Sequence, residues 1–185
     1  AAGEIALAEQ RADGSMPPGH NGPHNATETP VRNTGHWLVS FAQLYRWTGE
    51  EKWRDAVQRA AGYLTSPAAR PHGYTFHHRE HPGKDRCNGL IGAAWTFEAL
   101  VAAADALQDV RFLELAEDVF FQHPFDDARG LWWIVEIDGR VLRFDPTFNH
   151  QLWFAAAAAL IRGPRRDNVL VRVGRFLDQC GLNVV

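Results

Sequence analysis

The 185-residue sequence predicts an all-α fold in which helical hairpins recur around a ring, an α/α toroid, with a small β-hairpin inserted near 130–144. Three observations carry this. Trp37, Trp95 and Trp153 are separated by 58 residues and again by 58, and the pattern around each agrees beyond the Trp itself. Each unit reads as a helix, a short turn and a second helix. The first helix of a unit is apolar on nearly every side and the second has one wet face, so buried inner helices are wrapped by amphipathic outer ones.

In the first unit, an apolar helical pattern runs from Trp37 through Phe41, Leu44 and Tyr45 to Thr48-Gly49, then restarts at Glu50-Glu51-Lys52-Trp53. Trp53, Val57, Ala60, Ala61 and Leu64 follow helical spacing opposite Arg54, Asp55, Gln58 and Arg59, which predicts an outer helix with one face in water. The second unit opens on Gly89-Leu-Ile-Gly92-Ala-Ala-Trp95, continues through Phe97, Ala99, Leu100 and Val101, turns at Leu107-Gln108-Asp109 and restarts near Phe112. Its small residues Gly89, Gly92, Ala93 and Ala94 would let inner helices approach closely. The third runs from Trp153 through five alanines to Gly163-Pro164 and restarts near Val169. Between the second and third units, Gly130 to Phe144 alternates as a hairpin does and carries an Asp138-Gly139 turn.

Composition narrows the function. With 45% hydrophobic residues the chain can bury one sizeable core, and residues 1–185 read as a single domain. A net charge of -3 offers no field for a phosphate backbone, so nucleic acid is not an expected partner. The apolar run Leu152–Ile161 is too short to cross a bilayer and nothing resembles a leader, so no membrane partner is expected either. Two cysteines in different repeats, Cys87 and Cys180, fit neither a disulfide framework nor a paired-Cys zinc site, and point to a reducing, cytoplasmic setting. No metal or other cofactor is expected. The chain opens without a Met, as a piece of a longer polypeptide would.

The polar chemistry collects just before the inner helices, in Arg32-Asn33-Thr34-Gly35-His36, in His72 to Asn88, and in Asp145-Pro-Thr-Phe-Asn149-His150. Parallel inner helices would bring these stretches to one face, where unpaired helix N–H groups favour an oxygen-rich ligand. Eight of the nine histidines lie in these stretches or in the preceding Met16 to Pro30 loop. His36 and His150 are the candidates for proton transfer near neutral pH, with either able instead to cap a helix end. Glu98 stands one turn after Trp95 in a buried helix, where a carboxylate needs either a cation such as Arg32 or a raised pKa that suits catalysis. Asp85 would cap the second inner helix. Candidate binding residues are Arg32, Asn33, His77, His78, Cys87, Asn88 and Asn149, with Trp37, Trp95 and Trp153 as core residues first and sugar-stacking rings second.

The 58-residue hairpin repeat, the Arg32-Asn33-Thr34-Gly35-His36-Trp37 run and the Cys87-Asn88-Gly89-Leu-Ile-Gly92 helix start resemble the six-hairpin α/α toroids. These include N-acylglucosamine 2-epimerase-like proteins, unsaturated glucuronyl hydrolases and relatives encoded with polysaccharide genes. The resemblance covers roughly Asn25 to Cys180. It implies a saccharide or uronic-acid ligand at the inner-helix mouths and three functions: a His-mediated sugar epimerase, a glycoside hydrolase using two carboxylates from among Glu28, Asp85, Glu98 and Asp145, or a non-catalytic sugar-binding or assembly module. A ring of six such units needs about 350 residues at this repeat length. Three hairpins and a leading segment thus read as a partial toroid, possible half of a homo-oligomer. The Cys87-Asn88-Gly89 start is also similar to the Cys-His-Gly start of zinc-binding lanthionine-synthetase-like toroids, but Asn88 stands where the His would be.

Overall fold

The computed structural model describes residues 2–21 and 26–181, so Asn25, where the resemblance begins, lies outside them. A short helix α1 (Ala2–Glu9) and a two-stranded ribbon, β1 (His20–Asn21) with β2 (Ala26–Thr27), precede three hairpins. The inner helices are α2 (Val31–Thr48), α4 (Gly89–Leu107) and α6 (Phe148–Ala159). Their outer partners are α3 (Glu51–Leu64), α5 (Arg111–Gln122) and α7 (Arg166–Gln179). Helix α4 packs on α2, α6, α3 and α5, which makes it the middle of an arc.

The inner helices run parallel, as contacts at both of their ends show. Near the starts, His36 meets the edge of Trp95, and near the ends Tyr45 and Arg46 share a cavity wall with Asp105 and Ala106. Likewise Trp153 bonds Glu98 while Arg162, farther along, pairs with Asp105. The close approach between α2 and α4 is at Gly35, where an added Cβ would sit 3.5 Å from the Ala99 methyl. Gly92, expected to serve that purpose, faces His78 and Cys87 instead.

All five apolar positions expected on α3 are buried. The expectation that every inner helix is buried all round holds for α4 alone. In α6, Phe148, Leu152 and Trp153 reach solvent, and in α2 Val39 and Trp47 do, the latter 75% exposed. An inner helix is covered on two flanks only if a hairpin lies on each side, and α2 and α6 end the arc. α4 is also long and apolar enough to cross a membrane, beyond the Leu152–Ile161 run, but two thirds of it is buried within the protein, as in a core helix.

The predicted β-hairpin forms from β4 (Leu131–Val135) and β5 (Val141–Phe144), with Gly139 at φ 85° in the turn, and β3 (Phe125–Asp126) adds an unforeseen third strand. Trp132 is fully buried against Phe120, Phe154 and Phe176. The Gln151 side chain accepts from the Trp132 amide and donates to the Trp132 carbonyl, each at 3.0 Å. That double bond pair fastens the hairpin to the first turn of α6, and so fixes where the β5–α6 connection lies.

Candidate functional site

Helix α4 begins with two successive residues in the left-handed region, Asn88 at φ 59° and Gly89 at φ 61°. Glycine accepts that conformation at no steric cost and Asn at little. The first free amides of α4 are capped from outside the helix. Asp85 accepts from Gly89 N–H at 2.8 Å, as the sequence suggested, and Asp145 accepts from Leu90 N–H at 3.3 Å. The 79–86 loop and the β5–α6 connection therefore meet at one helix start.

Asp145 also orients His150. Its buried carboxylate lies 3.0 Å from Nδ1, which fixes the ring with Nε2 on the side away from Asp145. A cavity of about 150 Å³ here is lined by Asp85, Asn88, Gly89, Asp145, His150 and Arg143. Glu136, also buried, accepts from the amides of Arg86, Cys87 and Ile137, which holds the loop against the β4–β5 turn.

A second group lines the axial side of the inner helices. The Arg32 guanidinium lies over the Trp95 ring at 4.6 Å and pairs with Glu28 at 2.8 Å. The sequence expectation of a partner for Glu98 holds, but the partner is the Trp153 indole, donating at 2.8 Å, rather than Arg32. His36 is exposed beside Trp95 with a pKa lowered from 6.5 by partial desolvation and by Arg32, against the opposing pull of Glu98 and Glu28. It is a neutral imidazole at pH 7 and free to accept a proton.

Arg32 to His36 were expected before the inner helix, but α2 begins at Val31, behind Pro30, so they occupy its first turns. His36 and His150 thus fall in two groups, His36 with Arg32 and Trp95, His150 with Asp145 and Asn88. His78 is fully buried against Trp95, and desolvation lowers its pKa to about 3. His77 is half-buried and paired with Glu80 at 2.9 Å. Cys87 is buried, its thiol turned to Asp85 and its pKa pushed up by burial and by nearby carboxylates, so it is no nucleophile. Asn33 donates to the Pro17 carbonyl at 2.8 Å, and Asn149 is exposed on the first turn of α6.

The three repeated tryptophans hold corresponding positions on the inner helices but meet different partners. Each reaches back toward the preceding helix of the arc: Trp153 to Glu98 of α4, Trp95 to Arg32 and His36 of α2, and Trp37 to a 360 Å³ apolar groove against Ile5 and Ala6 of α1. Trp153 is 44% exposed and Trp37 and Trp95 are half-buried, so none is a fully enclosed core residue. The roles of Glu136 and Arg143 were not legible in the sequence. The Glu28–Arg32 pair was not read there either, because Glu28 lies before the start of α2.

Fold and site define a class: an α/α toroid-type arc of three helical hairpins, with polar groups gathered at the inner-helix starts. The same fold is found in cellobiose 2-epimerase from Spirochaeta thermophila, with a TM-score of 0.70 at 18% identity over 94% of this chain and 49% of that one. It is found again in an unsaturated glucuronyl hydrolase with the saccharide dGlcA-Glc-Rha-Glc, with a TM-score of 0.64 at 15% identity over 96% of this chain and 53% of that one. In sequence, the chain is 54% identical over 175 residues to Archaeal glycosylation protein Q of Haloferax volcanii. That match takes in 95% of this chain and 47% of the relative, so the chain spans about half the length of the curated relative it matches. No family model matches the chain.

Proposed function

We propose that this chain contributes the proton-transfer half of a sugar-processing site, acting in the manner of an epimerase on a saccharide or uronic acid bound along the axial face. The observation that carries this is His36. It is a neutral base at an open surface, with Arg32 flattened on Trp95 beside it as a donor for a carboxylate or ring hydroxyl and Glu98 held by Trp153 opposite. A glycosylation-named relative and two carbohydrate-enzyme neighbours support a sugar as the ligand. Cys87 and Cys180, both unpaired, suit a cytoplasmic setting.

A hydrolase of the unsaturated glucuronyl type is the second reading. What supports it is that Glu28, paired with Arg32, and Glu98, bonded to Trp153, belong to the group of side chains around Trp95 and His36.

Incubation with uronic acids and N-acetylhexosamines in deuterated water separates the readings. Carbon-bound deuterium marks the epimerase, and new reducing ends mark the hydrolase. For the epimerase, His36→Ala is expected to lower exchange at least 100-fold. Because the His36 pKa is lowered, exchange should stay flat from pH 8 to about 6.5 and fall only below it. Saturable sugar binding with neither signal would leave a binding module; exchange unchanged in His36→Ala would remove the proposal.

A further inference from the structure

The 150 Å³ cavity at the α4 start does not end there. A larger one of about 560 Å³ adjoins it and shares three wall residues, Arg79, Asp85 and Arg143, before passing between Lys84 and Leu142. Together they form a lateral groove between the 79–86 loop and the β4–β5 hairpin, distinct from the axial face that holds His36.

The formal charges lining this groove balance, but they are not equally available. Each carboxylate is already engaged. Glu136 accepts three backbone amides. Asp85 accepts from Gly89 N–H and pairs with Arg79 at 3.0 Å. Asp145 accepts from Leu90, Thr147 and His150. A carboxylate so supplied with donors has little left to offer a ligand. The cations differ. Among the described residues, no carboxylate or carbonyl partners the Arg143 guanidinium or the Lys84 ammonium, and both side chains are exposed on the groove walls. A ligand therefore meets donors: the Arg143 fork, the Lys84 ammonium and the edge of the Arg79 head.

We propose that this lateral groove is an anion subsite, in which Arg143 and Lys84 hold a carboxylate or phosphate group. Guanidinium suits either group because its parallel N–H donors match two oxygens at once, and Lys84 adds a mobile point charge. Two sources supply that chemistry: the carboxylate of a uronic acid and the phosphate of a phosphorylated sugar. The subsite does not depend on the reaction at His36, and it is read by binding alone.

Titration calorimetry of the full chain with glucuronate, glucose 6-phosphate, inorganic phosphate and glucose tests it. Saturable binding of at least one anion, weakened several-fold from 50 to 200 mM salt and absent with glucose, is the expected result. Glucuronate without phosphate binding assigns the carboxylate source, and the reverse assigns the phosphate source. The double variant Arg143→Gln with Lys84→Gln should lose at least 10-fold in affinity while keeping the parent melting temperature, since both side chains are exposed. His36→Ala should bind the anion as the parent does, so that loss of exchange and loss of binding are separate results. No saturable anion binding, or equal affinity in the double variant, overturns the subsite.

Discussion

Between pH 6.5 and pH 5 the protein is expected to lose about 3 kcal/mol of folding stability, from two buried imidazoles alone. His78 and His123 are enclosed in the core, and desolvation lowers their pKa values from 6.5 to about 3 and about 4. The unfolded chain takes up both protons near pH 6.5 while the folded chain refuses them, so acid favours unfolding. Each site contributes about 1.4 kcal/mol per pH unit once the unfolded imidazole is fully protonated, and, since that imidazole is half protonated at pH 6.5, between about 1 and 2 kcal/mol over this interval. The contribution is intact above pH 6.5 and drains as pH falls, through about 4 for His123 and about 3 for His78. His123 stands apart from other charges, with Nδ1 3.0 Å from the Trp133 carbonyl and its ring on Phe154. His78 adds repulsion from His77, Arg32 and Arg79. Urea unfolding at a series of pH values reads this directly: a slope near two protons in the parent, and near one in His123→Asn. A parent slope below half a proton would show that neither ring is shut away from water.

The second large effect is expected from one methyl group. Gly92→Ala would place a Cβ 2.7 Å from His78 Cδ2 and harder still against the Cys87 carbonyl. Neither neighbour can withdraw. His78 is enclosed, and the Cys87 backbone is fixed by Glu136 on one side and by the left-handed pair Asn88 and Gly89 on the other. In an open helix, Gly→Ala stabilises by roughly 1 kcal/mol. Here overpacking wins, and a net loss of 3 kcal/mol or more is expected. Gly62→Ala and Gly174→Ala supply the contrast, since nothing lies within 4 Å of a Cβ at either position. Both should gain a few tenths to about 1 kcal/mol in urea midpoint measurements. A Gly92→Ala protein as stable as the parent would mean that the α4 start is looser than described.

The repeat was legible because a Trp every 58 residues is a long-range signal that local propensity cannot imitate. It yielded the hairpins and the common direction of the inner helices, and the Asp138-Gly139 turn yielded the β-hairpin. Three things escaped. Periodicity tells that a helix is apolar all round but not whether a neighbour exists to cover it, so α6 was expected inside and meets water along Phe148, Leu152 and Trp153. The start of α2 was placed late, although Pro30 was a visible signal for a helix beginning at Val31. Partner choice also needs coordinates. Glu98 could have taken Arg32, but Glu28, in the extended segment just before α2, claims it, leaving the Trp153 indole for Glu98. Asp145 was one of four candidate carboxylates with no partner assigned, and its engagement with His150 and Leu90 depends on how Gln151 anchors the strand before it.

The position of α4 at the middle of the arc gives the molecule a gradient of local opening. A stack of hairpins in which each touches only its neighbours behaves as a one-dimensional chain of coupled units, and such chains come apart from their ends. Amides of Phe97 to Ala104, sheathed by four helices, should then exchange with solvent only through global unfolding. Those of α1 and α7, which pack on fewer helices, should exchange through local opening that leaves the central hairpin standing. Ligand groups mounted on the first turn of α4 thus sit on the slowest-opening part of the protein, and those on α6 on a more yielding one.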